Sequence, residues 1–178
     1  WNMHPIPFEH RYLPHRGKIE WEGIRELWMS DPDIVLKWDG VIQPTLWQSE
    51  KNVFHCLMRS SRGRIYRADS RDGGETWCQA YPTDLPNNNC GINVVQLRDR
   101  TLVLFLNPVD VNWGERTPLS AVISEDNGQT WSDYFDLETA EGEYSYPYAV
   151  TDGSAIDLTY TWRRKKIVHC EITLEEQG

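Results

Sequence analysis

Ser70-Arg71-Asp72-Gly73-Gly74-Glu75-Thr76-Trp77 and Ser124-Glu125-Asp126-Asn127-Gly128-Gln129-Thr130-Trp131 follow one pattern, S-x-D-x-G-x-T-W, and this repeated octapeptide decides the fold. The two copies begin 54 residues apart (124 − 70), and each follows a short apolar run. Segments that recur at such a spacing are typical of proteins assembled from one repeated unit, such as solenoids and propellers. The repeat therefore says more about the architecture than any single residue does.

Each octapeptide has the residue types of a β-hairpin turn. The third-position aspartates, Asp72 and Asp126, can accept hydrogen bonds from backbone N–H groups within the turn. The fifth-position glycines allow the positive φ of a tight connection, and the final Trp can fold back to bury its ring over the turn. We therefore predict that both octapeptides are structural and that none of their residues contacts a ligand.

From residue 41 onwards, short strand-like runs alternate with turn-forming residues, which is the pattern of an all-β protein. The predicted strands are Val41–Trp47, Val53–Ser60, Arg64–Ser70, Ile92–Leu97, Thr101–Asn107, Ser120–Ser124, Ser145–Val150, Ile156–Trp162 and Lys166–Ile172. They fall into three groups, at about residues 41–81, 92–137 and 144–173, and the last group lacks both the octapeptide and a final strand.

Six further segments accompany the octapeptides: Ile42-Gln43-Pro44-Thr45-Leu46-Trp47, Leu57-Met58-Arg59-Ser60, Leu85-Pro86-Asn87, Arg116-Thr117-Pro118-Leu119, Glu143-Tyr144-Ser145-Tyr146-Pro147 and Tyr160-Thr161-Trp162-Arg163-Arg164. With these segments, the sequence from about residue 40 to residue 171 resembles the bacterial sialidase-like Asp-box (BNR repeat) proteins, which are related to the exo-α-sialidases or neuraminidases. The octapeptide is identified as their Asp-box. The resemblance implies an all-β fold, a six-bladed sialidase-type β-propeller, of which this chain supplies about three to four blades from the C-terminal half.

The same resemblance sets the expected domain organisation. We expect propeller blades over residues 41–178, and a degenerate blade or an irregular N-terminal segment over residues 1–40. Because a blade takes about 40–50 residues, the 178 residues of this chain cannot close a ring of six blades. A homodimer or an N-terminal half preceding Trp1 would complete the ring, and an incomplete fragment is the remaining alternative.

Two arginines are candidates for binding a substrate carboxylate. In sialidases three arginines bind this group, a tyrosine activated by a glutamate is the nucleophile, and an aspartate is the acid/base, an exception to the usual pair of carboxylates. The resemblance carries over Arg59, at the end of the second strand, and Arg116, before the strand that leads into the second Asp-box. A guanidinium suits this role because it can bind a carboxylate bidentately. The alternative is that either arginine lies on the surface or links two blades.

Tyr144, in a Tyr-Ser pair, matches the nucleophile of the family, but the position of the activating glutamate is occupied by Gln43. A phenol with a pKa of about 10 needs a base nearby, and the Gln43 amide cannot accept a proton. Tyr144 would then depend on Glu143 or another residue, and a buried core tyrosine is the alternative interpretation. Trp113, close before Arg116, is expected to be an exposed stacking platform for a sugar ring.

Several other features have structural interpretations. We expect Asn87–Asn89 to form a turn and the basic run Arg163–Lys166 to form a solvated turn. Cys56 and Cys170 lie in apolar strand-like runs and are expected to be buried free thiols. Cys90, in an Asn-rich loop, is expected to be exposed.

Composition excludes several classes of partner. A net charge of −9 and a pI near 5.0 disfavour nucleic acid and anionic membranes, and no apolar run reaches the length of a membrane span. We predict no cofactor and no metal, because the four cysteines lack zinc-ligand spacing and His4, His10 and His15 follow no known ligand pattern. No signal peptide is visible, which slightly favours the cytoplasm.

Two classes of function follow. The first is a sialidase-like propeller of the exo-acting glycoside hydrolase family that acts on or binds a glycan, with Arg59, Arg116 and Tyr144 in a central pocket beside Gln43. The second is a non-catalytic carbohydrate- or protein-binding propeller that has lost the catalytic glutamate. The sequence leaves open whether the protein is an enzyme.

Overall fold

A computed structural model describes residues 40–174, which form eleven antiparallel β-strands in three sheets. The strands are β1 (Val41–Glu50), β2 (Val53–Ser60), β3 (Arg64–Ser70), β4 (Tyr81–Pro86), β5 (Asn93–Gln96), β6 (Leu102–Leu106), β7 (Leu119–Ser124), β8 (Phe135–Glu138), β9 (Tyr144–Thr151), β10 (Ala155–Trp162) and β11 (Lys166–Thr173). The segment predicted as a degenerate blade lies outside the described residues, apart from Gly40. Within residues 40–174, no helix is long and apolar enough to cross a membrane.

Each sheet is a meander in which every strand pairs with the next strand along the chain: β1 to β4, β5 to β8, and β9 to β11. The first strands of neighbouring sheets lie beside one another, β1 with β5 and β5 with β9. Sheets that meet along their first strands in this way are the blades of a β-propeller. The predicted all-β propeller architecture is confirmed, and the described part of the chain supplies three blades, the third with three strands.

Two outer strands, β4 and β8, are absent from the sequence-based strand list. β4 contains Pro82 and Pro86, and Leu85 is its one buried residue; in β8 no side chain is fully buried. An outer strand with little burial does not show the apolar alternation on which strand prediction depends. Prolines are also tolerated at such an edge, because one side of the strand makes no ladder hydrogen bonds.

The core lies between the blades. One buried cluster joins the first and second blades and includes Trp47 and Leu104, and another joins the second and third blades and includes Phe105 and Leu158. Every residue of β6 is buried, because this strand is in the middle blade and is covered on both faces. The blades are therefore held together mainly by apolar side chains.

The antiparallel meander gives the blades two distinct ends. One end, called the Asp-box end, carries the two Asp-box turns (β3–β4 and β7–β8) together with the β1–β2, β5–β6 and β9–β10 turns. The opposite end, called the connection end, carries the connections between blades (β4–β5 and β8–β9) with the β2–β3, β6–β7 and β10–β11 turns. Residues far apart in sequence are therefore brought together at the connection end.

The Asp-boxes make the turns predicted for them. Asp126 Oδ1 accepts hydrogen bonds from the backbone N–H of Thr130 at 2.8 Å and of Gln129 at 3.0 Å, and its Oδ2 accepts the Thr130 hydroxyl at 2.6 Å. Asp72 makes the equivalent bonds to Thr76 in the first turn. The threonine side-chain bond, followed by the backbone bond, lowers the pKa of both aspartates to about 2.

The second Asp-box also joins two blades. The Trp47 indole N–H donates to Asn127 Oδ1 at 2.6 Å, and Arg67 Nη1 donates to the carbonyls of Asn127 and Gly128 at 3.0 and 2.8 Å. Arg67 is buried on β3 of the first blade, and its Nε pairs with Asp69 at 2.9 Å. This turn is thus part of the contact between the first and second blades.

Candidate functional site

At the connection end, four of the five predicted site residues lie around one short segment, Asn88–Gly91. Arg59 Nη1 donates a hydrogen bond to the carbonyl of Asn89 at 2.9 Å. The Asn88 side chain donates to the carbonyl of Glu115, the residue before Arg116, at 2.6 Å. The loop between the first and second blades therefore fixes the two candidate arginines relative to each other.

Arg59 is half-buried at the end of β2, and its Nε–H is buried without a hydrogen-bond partner. At the same end, Arg116 and Arg164 both form ion pairs with Glu143. A buried donor on a charged group is costly when it is left unpaired. Arg59 is therefore poised to take an additional acceptor.

Arg116 is held from two sides. Its Nη1 pairs with Glu143 Oε1 at 2.9 Å, and its guanidinium carbon lies 5.1 Å from the centre of the Tyr146 ring. The other oxygen of Glu143 pairs with Arg164 Nε at 2.8 Å, so one carboxylate bridges two guanidinium groups. Partial burial opposes ionisation of Glu143, but these two arginines outweigh it and hold the pKa of the carboxyl below its usual value.

Gln43 and Tyr146 occupy equivalent β-bulges in the first strands of the first and third blades. Both have a φ of 54° and both precede a proline, and the strand pairing shifts register at each position. A left-handed conformation is unfavourable for residues with a side chain and is concentrated at functional sites. Bulges of this kind turn a side chain away from its regular direction.

The two side chains meet over Gly91. A Cβ atom added at Gly91 would lie 3.2 Å from Tyr146 Cδ1 and 3.3 Å from Gln43 Oε1. The position next to the bulges is thus a glycine because a larger residue would push both side chains aside. The Tyr146 ring keeps 46% of its surface exposed.

Tyr144, the predicted nucleophile, has no exposed surface. Its hydroxyl accepts hydrogen bonds from Arg163 Nε at 3.2 Å and Nη2 at 3.1 Å, and its ring packs edge-on to Trp162. The exposed tyrosine next to Arg116 is Tyr146, which sequence reasoning did not single out. The available signal was the residue-proline pair in the first strand of two blades, Gln43-Pro44 and Tyr146-Pro147.

The Asn87–Asn89 segment forms a turn, as predicted, but it is buried. Asn87 Nδ2 donates to the carbonyl of Cys90 at 3.2 Å, and the N–H of Cys90 donates to Asn88 Oδ1 at 3.1 Å. These bonds hold Cys90 inside, with 1% of its surface exposed, so the expectation of an exposed thiol is wrong. Burial raises the pKa of this thiol, although Arg116 and Arg59 nearby favour the thiolate.

Trp113 and the basic run lie at the edge of the site. Trp113 is 69% exposed, as expected of a stacking platform, and its backbone N–H donates to the carbonyl of Asn88 at 3.1 Å. Arg164 is 72% exposed yet paired with Glu143, while Arg163 stacks on the Trp162 ring at 4.5 Å. The basic run is therefore only partly solvated. In the described residues, no group of three or more side chains is arranged to hold a metal ion.

Comparison with solved structures shows the fold. The NanB sialidase of Streptococcus pneumoniae matches 71% of this chain with 21% of its own, at a TM-score of 0.58 and 16% identity. The catalytic domain of a GH62 α-L-arabinofuranosidase from Coprinopsis cinerea matches 83% of this chain with 50% of its own chain, at a TM-score of 0.58 and 10% identity. A protein of unknown function from Dyadobacter fermentans matches 72% of this chain with 35% of its own chain, at a TM-score of 0.57 and 18% identity. The chain thus spans half or less of these proteins.

Sequence comparison shows the family. None of the curated proteins is similar enough in sequence to count as a match. Residues 7–167, however, match the BNR repeat-like domain. This match covers most of the chain, including both Asp-boxes and the arginine site. The chain therefore belongs to the BNR repeat-like domain family and has the sialidase-type β-propeller fold.

Proposed function

We propose that the connection end binds an acidic glycan and that Arg59 and Arg116 bind its carboxylate. The observation that carries this proposal is the buried Nε–H of Arg59 without a partner. A carboxylate between the two arginines would satisfy this donor through a charge-assisted hydrogen bond. The family match, together with the sialidase and arabinofuranosidase among the structural neighbours, supports a sugar as the carrier of that carboxylate.

Gln43 and Tyr146 complete the proposed site. The Gln43 amide offers both donors and an acceptor to sugar hydroxyls. Arg116 lies over the Tyr146 ring, and the exposed part of the ring can contact the apolar face of a sugar. Both residues are held in a left-handed conformation by the bulges, so their positions are set before a ligand binds.

Binding is the better supported role, and hydrolysis is the second candidate. Gln43 cannot act as a base, and the two arginines that lower the pKa of Glu143 make its carboxylate a weak base. Tyr144 as nucleophile requires Arg163 to release its hydroxyl. Tyr146 is an alternative nucleophile, because it is exposed and lies against the Arg116 guanidinium.

Calorimetric titration with acidic and neutral monosaccharides tests the binding role. The wild-type protein is expected to bind N-acetylneuraminic acid or D-glucuronic acid more tightly than D-glucose. Arg59→Met should weaken binding of the acidic sugar about 10–100-fold, since a hydrogen bond to a charged group contributes about 1.5–3 kcal/mol. Arg71→Ala, at an exposed arginine of the first Asp-box, is the matched control. Equal affinity for acidic and neutral sugars, or no effect of Arg59→Met, would contradict the proposal.

Release of 4-methylumbelliferone from its N-acetyl-α-neuraminide and β-D-glucuronide separates binding from hydrolysis. With Gln43 in place, we expect binding without turnover. Gln43→Glu should raise the rate of release if the missing base is what prevents hydrolysis. Turnover by the wild-type protein that disappears in Tyr146→Phe would instead establish the hydrolytic role.

A further inference from the structure

A serine, a histidine and an aspartate are hydrogen-bonded in series at the Asp-box end of the first blade, the end opposite to the arginine site. Ser49 Oγ lies 2.7 Å from His55 Nε2, and Asp69 Oδ1 lies 2.5 Å from the other ring nitrogen, Nδ1. The three residues come from three successive strands, β1, β2 and β3. A nucleophile, a base and a group that orients the base, connected in this order, are what acyl transfer to a serine requires.

Strand pairing brings these side chains together. His55 and Asp69 are directly opposite each other on β2 and β3. On β1 the register shifts between Gln48 and Glu50, so Ser49 lies in a bulge, which can turn a side chain towards a new direction. His55 is buried, whereas Ser49 is only half-buried. The hydroxyl therefore contacts the buried imidazole and can still be reached from solvent.

The contacts of His55 Nδ1 place a proton on this nitrogen. Partial burial opposes ionisation of Asp69, but hydrogen bonds from His55 and two other side chains outweigh it and hold the pKa of the carboxyl below its usual value. An ionised carboxylate can lie 2.5 Å from Nδ1 only if this nitrogen donates its proton. Arg67 is also close, with Nη2 at 3.1 Å from Nδ1, and its Nε donates to the same carboxylate at 2.9 Å.

The contacts of His55 Nε2 leave its lone pair free to accept a proton. The Trp47 indole N–H donates to Asn127 Oδ1, so the amide nitrogen of Asn127 is the atom that lies 3.1 Å from Nε2. An amide nitrogen donates and does not accept, which requires an unprotonated Nε2. Nε2 is therefore the acceptor for the Ser49 hydroxyl. The second N–H of the Asn127 amide can donate to an oxyanion that forms beside the serine.

We propose that Ser49 is a nucleophile activated by His55 and that it cleaves small carboxylic esters. Ser49 Oγ attacks the carbonyl carbon and its proton passes to Nε2; the bond to the leaving alcohol then breaks, and the alcohol takes this proton. Water attacks the acyl-serine with the same proton transfers, which releases the acid and restores the hydroxyl. Asp69 acts through the ring, as a positioning residue.

The surroundings of Ser49 explain the choice of a small ester. The Trp47 ring stacks on His55 at 5.0 Å and covers one face of the base, so a bulky acyl group is excluded from that side. The leaving group of an ester is an alkoxide, which departs more readily than the amine of an amide. The activity is independent of the proposed glycan site, since the two sites lie at opposite ends of the blades.

Covalent labelling tests the nucleophile. A fluorophosphonate forms a bond from phosphorus to an activated serine oxygen and loses fluoride. After tryptic digestion of the labelled wild-type protein, we expect the adduct on Ser49 in the peptide of residues 38–51. Ser49→Ala should lose this adduct, and so should wild-type protein unfolded in urea, because the hydroxyl then lacks its base. No adduct on Ser49, or equal labelling of the unfolded protein, overturns the proposal.

Hydrolysis of p-nitrophenyl acetate tests the reaction. Ser49→Ala should lower kcat/KM about 100-fold, and Asp69→Asn should lower kcat with little change in KM, because Asp69 does not contact the ester. His169→Gln is the matched control, since His169 pairs with Asp157 at 2.7 Å but is 61% exposed, so it reports hydrolysis by an imidazole alone.

His169→Gln and Arg59→Met should both keep the wild-type rate of ester hydrolysis. Thermal unfolding of Ser49→Ala establishes that the variant is folded. A folded Ser49→Ala protein with the wild-type rate, or a rate that is lost in His169→Gln instead, overturns the proposal and leaves the arginine site unaffected.

Discussion

The Asp-box end and the connection end of the same blades are built from opposite kinds of contact. In each Asp-box turn, the aspartate is satisfied by partners within four residues of sequence, as in the bonds of Asp126 to Thr130. At the connection end, the partners are distant in sequence, the bulge residues Gln43 and Tyr146 are left-handed, and one buried guanidinium N–H is unpaired. The first end stabilises the blades, and the second keeps strained and unpaired groups at the candidate site.

The two Asp-boxes differ at three positions, and the fourth position of the octapeptide affects the contact between blades. The first has Gly73 where the second has Asn127, and both residues are left-handed. Asn127 accepts the Trp47 indole N–H, so the second turn contributes to the contact between blades. The residue at the fourth position of the Asp-box thus determines whether the motif forms only its own turn, as with Gly73, or also bonds to a neighbouring blade, as with Asn127.

The largest expected loss of stability comes from breaking the contact at the second Asp-box. Arg67→Ala leaves the carbonyls of Asn127 and Gly128 and the carboxylate of Asp69 without their buried partner. Removal of one member of a buried ion pair costs about 3–5 kcal/mol, which urea unfolding would measure. The exposed control Arg71→Ala should change the free energy of unfolding by less than about 0.5 kcal/mol. If Arg67→Ala and Arg71→Ala changed the free energy of unfolding equally, the second Asp-box turn would not stabilise the contact between blades.

The next effect is expected at Gly91 and concerns binding rather than stability. Gly91→Ala places a methyl group 3.2–3.4 Å from Tyr146 and Gln43, so both side chains must shift by a few tenths of an ångström. We expect affinity for an acidic monosaccharide to fall about 10-fold, because displacement of site residues of this order is costly. The melting temperature should change little. A variant that melts early but binds normally would assign Gly91 to the fold instead.

A smaller change, and one of opposite sign, is expected at Glu143. This carboxylate occupies Nη1 of Arg116 in the free protein, so it competes with the carboxylate of a ligand. Glu143→Gln should therefore raise affinity for an acidic monosaccharide several-fold, whereas Glu141→Gln, at an exposed neighbour, should have no effect on it. A fall in affinity would show that Glu143 serves mainly to orient Arg116.

Acid should weaken the Asp-box end gradually. Asp72 and Asp126 have pKa values of about 2 in the fold, mainly because of the threonine hydrogen bonds, against an ordinary value of 3.8. A depressed pKa in the folded state contributes stability that is fully present above the unfolded value and is lost as the pH falls towards 2. The double variant Asp72→Asn with Asp126→Asn should thus lose less melting temperature between pH 5 and pH 2 than the wild-type protein. Parallel curves would contradict this assignment.

The same contrast explains which features could be predicted from sequence. The Asp-box turns are encoded within eight residues, so their chemistry was predictable, and the family motifs singled out Arg59 and Arg116 as candidates. The exposure of Tyr146 depends on a bulge, and the burial of Cys90 depends on amide hydrogen bonds within its own β4–β5 loop; sequence patterns show neither. Strands β4 and β8 were missed because little of their surface is buried.

The paired bulges at Gln43 and Tyr146 have a consequence for how such a site can change. In each blade the bulge adds one residue to the first strand without altering the alternation of buried and exposed side chains that follows it. A substitution at Gln43 or Tyr146 therefore changes a side chain of the candidate site and leaves the packing of the blade intact. Because the first and third blades both carry such a bulge, single substitutions at these two positions can change the candidate site without altering the core.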